Sequence, residues 1–189
     1  MMRASMLLIL LMAVSAAAQT QPAQPPAAKE EKPMDLQKAH EYFSADCFNK
    51  CWNYIDMATR TAGDTENMLL AANASLWHWK QRTDVQPLNL SIAYWQLSRV
   101  YALAGLAEMA DRYAKQCEQV TIPNNLPPFY AGYAFEALAR SALISKDSDA
   151  ARKHLSKAEE YAAQVSAADE KGLLDADLKQ LSAMMAKDE

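Results

Sequence analysis

From residue 34 onward, apolar residues recur every three to four positions, and polar stretches divide them into blocks that end near Gly or Pro. That spacing lays apolar side chains along one stripe of a 3.6-residue turn, whereas a half-buried strand would alternate every second residue. Gly63, Gly105 and Gly172, with Pro87, Pro123 and Pro127-Pro128, punctuate the blocks. Ala, Leu, Met, Glu, Lys and Gln fill the intervals and β-branched runs are absent, a composition suited to helices rather than strands. The pattern predicts seven helices, over roughly 35–61, 65–82, 88–104, 107–120, 128–145, 148–165 and 169–186.

Three windows of the chain align with one another without gaps: Trp52-x2-Ile55-x3-Thr59-x3-Gly63, Tyr94-x2-Leu97-x3-Tyr101-x3-Gly105 and Phe135-x2-Leu138-x3-Ala142-x3-Lys146. Each puts an aromatic and an aliphatic residue three apart on one helix face and then ends in a turn. A second helix follows each time, carrying Met68, Ala72 and Ser75, then Ala110, Ala114 and Cys117, then Ala151, Leu155 and Ala158 in matching positions. Mostly small side chains on the second helix let two backbones approach closely, so the windows predict antiparallel helix pairs.

At these residues the chain resembles the tetratricopeptide (TPR) repeat, whose signature is an aromatic, an aliphatic three residues on, a small residue at the turn and Ala in the second helix. The resemblance covers about 50–165, and the window from Tyr94 to Cys117 matches best. Departures are Lys146 at a turn where Gly is usual, Asp56 and Ser98 where the third window has Ala139, and a period longer than the common one of about 34 residues. The resemblance implies an all-α, right-handed superhelix of about three TPR-like helix pairs. Leu174, Leu178, Leu181 and Met185 form one stripe on a last helix, which reads as a cap over the open end of the stack.

The N-terminus reads differently from the repeats. Arg3, an apolar run from Met6 to Val14 and Ala16-Ala17-Ala18 make the three parts of a secretory signal, so residues 1–18 read as a signal peptide. The apolar run is roughly half of the ~20 residues that a spanning helix needs, which leaves no membrane span after cleavage. Residues 19–33, rich in Pro, Gln and Ala, have no apolar period and read as a disordered tether, leaving 34–189 as the helical domain. The expected location is periplasmic or secreted. Formal net charge is −4 and becomes −5 when Arg3 is removed, which argues against nucleic acid as a partner because phosphates demand a dense basic surface.

Candidate chemistry is sparse. Cys47 and Cys51 lie four apart on the first helix, on the face that also carries His40, so a thiol-redox or soft-metal (Cu(I)-type) protein using Cys47 and Cys51 is the alternative to a repeat adaptor. Against it, Cys51 shares a repeat column with Ala93 and Ala134, and Cys117 shares one with Ser75 and Ala158, so both fill places that want a small core residue. An oxidising compartment favours a disulfide over a metal, although Cys47 and Cys51 are awkwardly placed for one within a straight helix. His78, between Trp77 and Trp79, is the one catalytic candidate, but no serine elbow, zinc-binding helix or P-loop accompanies it. With four glycines in the chain, phosphate-cradling loops have little to be built from. The pairs Glu159-Glu160 and Asp175 with Asp177 stand beside Lys157, Lys171 and Lys179 and read as solvated helix faces.

In TPR proteins the first helix of each pair lines a concave surface that grips a peptide or partner helix. The residues one step after each signature aromatic are Asn53, Trp95 and Glu136, and those five after it are Met57, Arg99 and Arg140, with Arg60 a turn further on in the first window. Arginines in register beside a tryptophan suit a carboxylate or an acidic peptide segment, through bidentate bonding and stacking. Glu136 also stands four before Arg140 and can pair with it on one helix. The sequence therefore reads as an exported TPR-like adaptor, not an enzyme. It needs no cofactor, and it binds a protein or peptide partner through Asn53, Arg60, Trp95, Arg99, Glu136 and Arg140.

Overall fold

The computed structural model describes residues 34–186; the signal and tether assigned to 1–33 lie outside the described residues. The described chain forms seven α-helices and no strand: α1 Leu36–Ile55, α2 Ala62–Gln81, α3 Pro87–Leu103, α4 Ala107–Thr121, α5 Pro128–Ile144, α6 Ser148–Ala162 and α7 Ala168–Met185. None of these helices is long and apolar enough to cross a membrane.

Local chemistry sets the helix starts. Asp35 accepts from the Lys38 amide and Asp147 from the Ala150 amide, each meeting a first-turn N–H that has no partner within its helix. Thr61 and Asp64 form a reciprocal capping box. Pro87 and Pro128 occupy first-turn positions, where a missing N–H costs nothing. The capping box corrects the expected first boundary. Instead of running to 61 and turning at Gly63, α1 stops at Ile55, and Gly63 lies in the first turn of α2.

Each odd-numbered helix packs against the even one after it, each even one against the next odd one, and successive odd helices also touch one another. Among the described residues, no two even-numbered helices pack together. The aligned small positions are the ones that meet: Met68, Ala72, Ser75, Ala110, Ala114, Cys117, Ala151, Leu155 and Ala158 are all buried. Ser75 and Cys117, in one column, each donate to a carbonyl of the preceding helix, Ser44 and Ser91 respectively. Ser98 is fully buried and donates to the Ala110 carbonyl at 2.9 Å, so a hydroxyl is tolerated at its repeat position.

Two repeat equivalences go beyond burial. Gly105 and Lys146 both take a left-handed conformation, φ 72° and 62°, and each ends its helix with the same two backbone bonds. Leu106 N–H reaches Tyr101 O and Gly105 N–H reaches Ala102 O in one turn; Asp147 N–H reaches Ala142 O and Lys146 N–H reaches Leu143 O in the other. The signature rings also stack alike, Tyr94 on Tyr113 and Phe135 on His154, with centroids 6.2 Å apart in both cases. In the first window Ala71 stands where the stacking ring would be.

α7 lies across α5 and α6, with Leu174, Leu178 and Leu181 buried and Met185 packed against the same core. Its close approach depends on Gly132, one turn into α5. A Cβ there would stand 2.5 Å from Leu174 Cδ2.

Candidate binding pocket and the polar hub behind it

A pocket of about 590 Å³ opens where the four odd-numbered helices meet, within the range usual for small-ligand and side-chain sites. α1 supplies Phe48 and Trp52, α3 supplies Ser91, Ile92, Trp95 and Arg99, α5 supplies Phe129, Tyr130 and Tyr133, and α7 supplies Leu173, Ala176 and Asp177. The spacings within each helix are one, three, four, seven or eight residues, so each contributes one face. Six rings run in unbroken contact from Phe48 through Trp52, Trp95, Tyr133 and Phe129 to Tyr130, with successive centroids 4.9–6.4 Å apart. Four of the five contacts are edge-to-face and the Trp52–Trp95 pair is tilted, at distances where ring pairs attract, so the wall is a continuous aromatic surface.

Behind the aromatic wall lies a charged hub. Glu136 is fully buried; its Oε2 accepts from Trp95 Nε1 at 2.9 Å, and its Oε1 accepts from Arg140 Nε at 2.8 Å and from Arg140 Nη2. Arg99 Nη1 is 3.8 Å from the same Oε1 and donates to Asp177 Oδ1 at 3.0 Å. The Tyr133 hydroxyl donates to Asp177 Oδ2 at 3.1 Å. Burial, followed by the Asp177 carboxylate, pushes the Tyr133 phenol well above its ordinary value, so it stays a donor. The hub ties α3, α5 and α7 together through two arginines and two carboxylates. Among the described residues, one buried side-chain nitrogen or oxygen lacks a hydrogen-bond partner: Arg99 Nε, on a residue that lines the pocket.

The residues expected to form an exposed row are placed differently. Trp95, Arg99, Glu136 and Arg140 do converge, but as a buried network: Trp95 is 9 % exposed and Arg140 4 %. Of the four, Trp95 and Arg99 line the pocket, while Glu136 and Arg140 stand behind it. Both arginines are met by carboxylates, which removes the basis for reading them as free anion receptors. Arg60 Nη1 donates to the carbonyls of Tyr54, Ile55 and Met57, closing the C-terminal end of α1. Asn53 is exposed on α1, and Met57 is exposed beyond the end of α1, outside the column that holds Arg99 and Arg140.

Sequence reasoning missed Asp177, Tyr133 and Trp52 as pocket residues. Asp177 passed for a solvated carboxylate, yet it lies three residues after Leu174 and four before Leu181, on the buried stripe of α7. That offset was the available signal.

The thiols are free. Cys51 is fully buried and donates to the Met68 carbonyl, and burial pushes its thiol up to about 12; burial pushes Cys117 up to about 11. Burial, and after it the neighbouring Asp46, also raises Cys47. Such thiols hold little of the thiolate that nucleophilic attack and metal ligation require. His40 turns to His78, Nδ1 to Nδ1 at 2.8 Å, within a cluster of rings that includes Trp77 and Phe43. Among the described residues no three His, Cys, Asp or Glu side chains stand close enough to hold a metal ion together.

Compared with known proteins, the chain matches no family model, no curated protein and no solved structure at a significant level.

Proposed function

We propose that the chain is an exported TPR-like adaptor, a right-handed stack of three helix pairs and a cap, that binds a protein or peptide partner and performs no catalysis. The observation that carries this reading is the pocket. It draws on every odd-numbered helix, is walled by six rings, and opens through apolar residues such as Leu173 and Ala176, which are themselves exposed. A stack in which odd helices touch and even helices do not is closer-set on its odd side, where a repeat protein presents its concave surface. The equivalent turns at Gly105 and Lys146 and the equivalent ring stacks support the repeat register. Because the hub lies behind the aromatic wall and α7 borders the opening, the surface suits the insertion of one or two partner side chains. Aromatic anchors filling such pockets are the usual energetic centres of interfaces.

The test is capture from a cell-envelope extract with wild-type protein and with Ala176→Trp. Ala176 is exposed at the pocket, so an indole there fills the opening without entering the core. The proposal expects one or more specific bands retained by wild type and lost by Ala176→Trp at unchanged thermal stability. Identical capture by both proteins would count against the pocket as the binding surface.

A further inference from the structure

The lining of the pocket offers more hydrogen-bond donors than acceptors. Asp177, the carboxylate that lines it, has both oxygens engaged, one by Arg99 and the other by Tyr133, and Ser91 shares a bond with the buried Thr121. Two polar side chains that line it bond to nothing among the described residues: Trp52 and Tyr130. Both are half-buried, and neither the Trp52 Nε1–H nor the Tyr130 hydroxyl is among the buried unpartnered atoms, so both polar ends reach solvent. The indole can only donate, and the phenol donates or accepts. A peptide backbone entering here finds donors for its carbonyls, while its own N–H groups find few acceptors. Proline suits that imbalance, because it keeps the carbonyl and has no N–H. Its ring is apolar and uncharged, which also fits: Arg99 and Asp177, the charged residues that line the pocket, neutralise each other at 3.0 Å.

Position adds a second constraint. Trp52 belongs to α1 and Tyr130 to α5, which do not pack together; α3 stands between them and touches both. Neighbouring helix axes lie ~8–10 Å apart, so a ligand bonded to both donors spans at most ~20 Å along the aromatic wall. An extended chain does this and a single ring does not. Polyproline II advances ~3.1 Å per residue, has no internal hydrogen bonds and is already extended before it binds, so about five or six residues cover the distance at a small ordering cost. We infer that the partner enters the pocket as an uncharged, proline-rich stretch in the polyproline II form, with pyrrolidine rings against the aromatic wall and carbonyls accepting from Trp52 Nε1–H and the Tyr130 hydroxyl. This rests on the adaptor reading above and narrows it to the chemistry of the partner segment.

The experiment titrates ¹⁵N-labelled protein with three uncharged probes, each acetylated and amidated: hexaproline; hexaalanine, which has the same carbonyls but keeps its N–H groups; and a single proline, which has the ring but not the length. Hexaproline is expected to bind at least ~10-fold more tightly than either of the others, a difference worth about 1.4 kcal/mol. At saturation it should move the Trp52 indole N–H signal downfield, as a new acceptor does. Tyr130→Phe keeps the ring against Phe129, with which it stands at 5.2 Å between centroids, and removes the hydroxyl; it should weaken hexaproline by about 5-fold, the share of one hydrogen bond. Tyr42→Phe, at an exposed tyrosine off the pocket, should change nothing. Equal binding of hexaalanine or of the single proline, a Trp52 indole signal unmoved at saturation, a Tyr130→Phe affinity equal to wild type, or no binding of hexaproline overturns the inference. So does a wild-type dimer in sedimentation that Ala176→Trp makes monomeric, which would assign the pocket to a second copy of the chain. Failure of the adaptor reading looks different: Ala176→Trp then captures partners as wild type does, whatever the probes show.

Discussion

Replacing Glu136 by Gln isolates the charge of the hub, because the amide is isosteric and its oxygen still accepts from Trp95 Nε1. What changes is that the Arg140 guanidinium, 4 % exposed and bonded through two of its nitrogens to Glu136 Oε1, loses its counter-ion. Arg99 loses the second of its two carboxylates but keeps Asp177. Breaking a buried pair from one side costs about 3–5 kcal/mol, a large share of the ~5–15 kcal/mol that holds a domain folded. Arg140→Leu should cost roughly half as much, because Arg99, 3.8 Å from Glu136 Oε1, remains to face the carboxylate. In the double variant Glu136→Gln/Arg140→Leu neither charge is left, and apolar replacement of a buried pair is often close to neutral. The double variant should therefore be more stable than Glu136→Gln alone and lose clearly less than the sum of the two single losses. Urea denaturation followed by far-ultraviolet circular dichroism measures all four proteins without relying on Trp95 as the probe. A Glu136→Gln variant within ~1 kcal/mol of wild type, or additive single losses, would refute the hub as an energetic unit.

Three further perturbations follow from the backbone and from the histidines. Lys146→Gly removes a side chain from an exposed left-handed position whose repeat equivalent is already Gly105, and should raise stability by about 0.5–1 kcal/mol in the same denaturation assay; a loss would break the equivalence of the two turns. Gly132→Ala should cost about 1–3 kcal/mol, because its Cβ would meet Leu174 at 2.5 Å and push α7 off α5; a neutral result would show that the cap is loosely seated. His78 is held below its ordinary value by burial and then by His40, so the unfolded chain takes up that proton first. The His78 contribution is complete above the unfolded value of 6.5 and is lost as pH falls through the lower folded value. Melting temperature should drop between about pH 7.5 and about pH 5, and His78→Phe should flatten that slope; an equal slope in both proteins would contradict it.

Much of the scaffold was legible because packing is periodic. The apolar period and its Gly and Pro punctuation located all seven helices, and the aligned windows placed Ala110, Ala114, Ala151 and Ala158 in the core. The first boundary was misplaced because a Thr61–Asp64 capping box, a signal four residues long, outweighs a glycine as a marker of where α2 begins. The site was harder. Repeat columns group Trp95 with Glu136 and Arg99 with Arg140, and the structure packs the four together, but a column gives no sense of depth, and a Glu–Arg pair four apart is the same string of letters on a solvated face as in a core. Which it was depended on α7, whose Asp177 reaches Arg99 across 78 residues of sequence. Arg60 misled for a related reason, since a basic residue just past a helix end can serve a ligand or its own helix carbonyls, and here it serves the carbonyls.

The central claim, that a partner is held at the pocket between the odd-numbered helices, is tested most directly by photo-crosslinking from two positions in a cell-envelope extract. One photoreactive phenylalanine analogue replaces Leu173, exposed by 62 % at the pocket, and the other replaces Lys153, exposed on α6 and away from the pocket. The account predicts a discrete adduct from position 173 that vanishes when Ala176→Trp is added, and none from position 153. An adduct from 153 without one from 173 would place the binding surface on the even-numbered helices and contradict it.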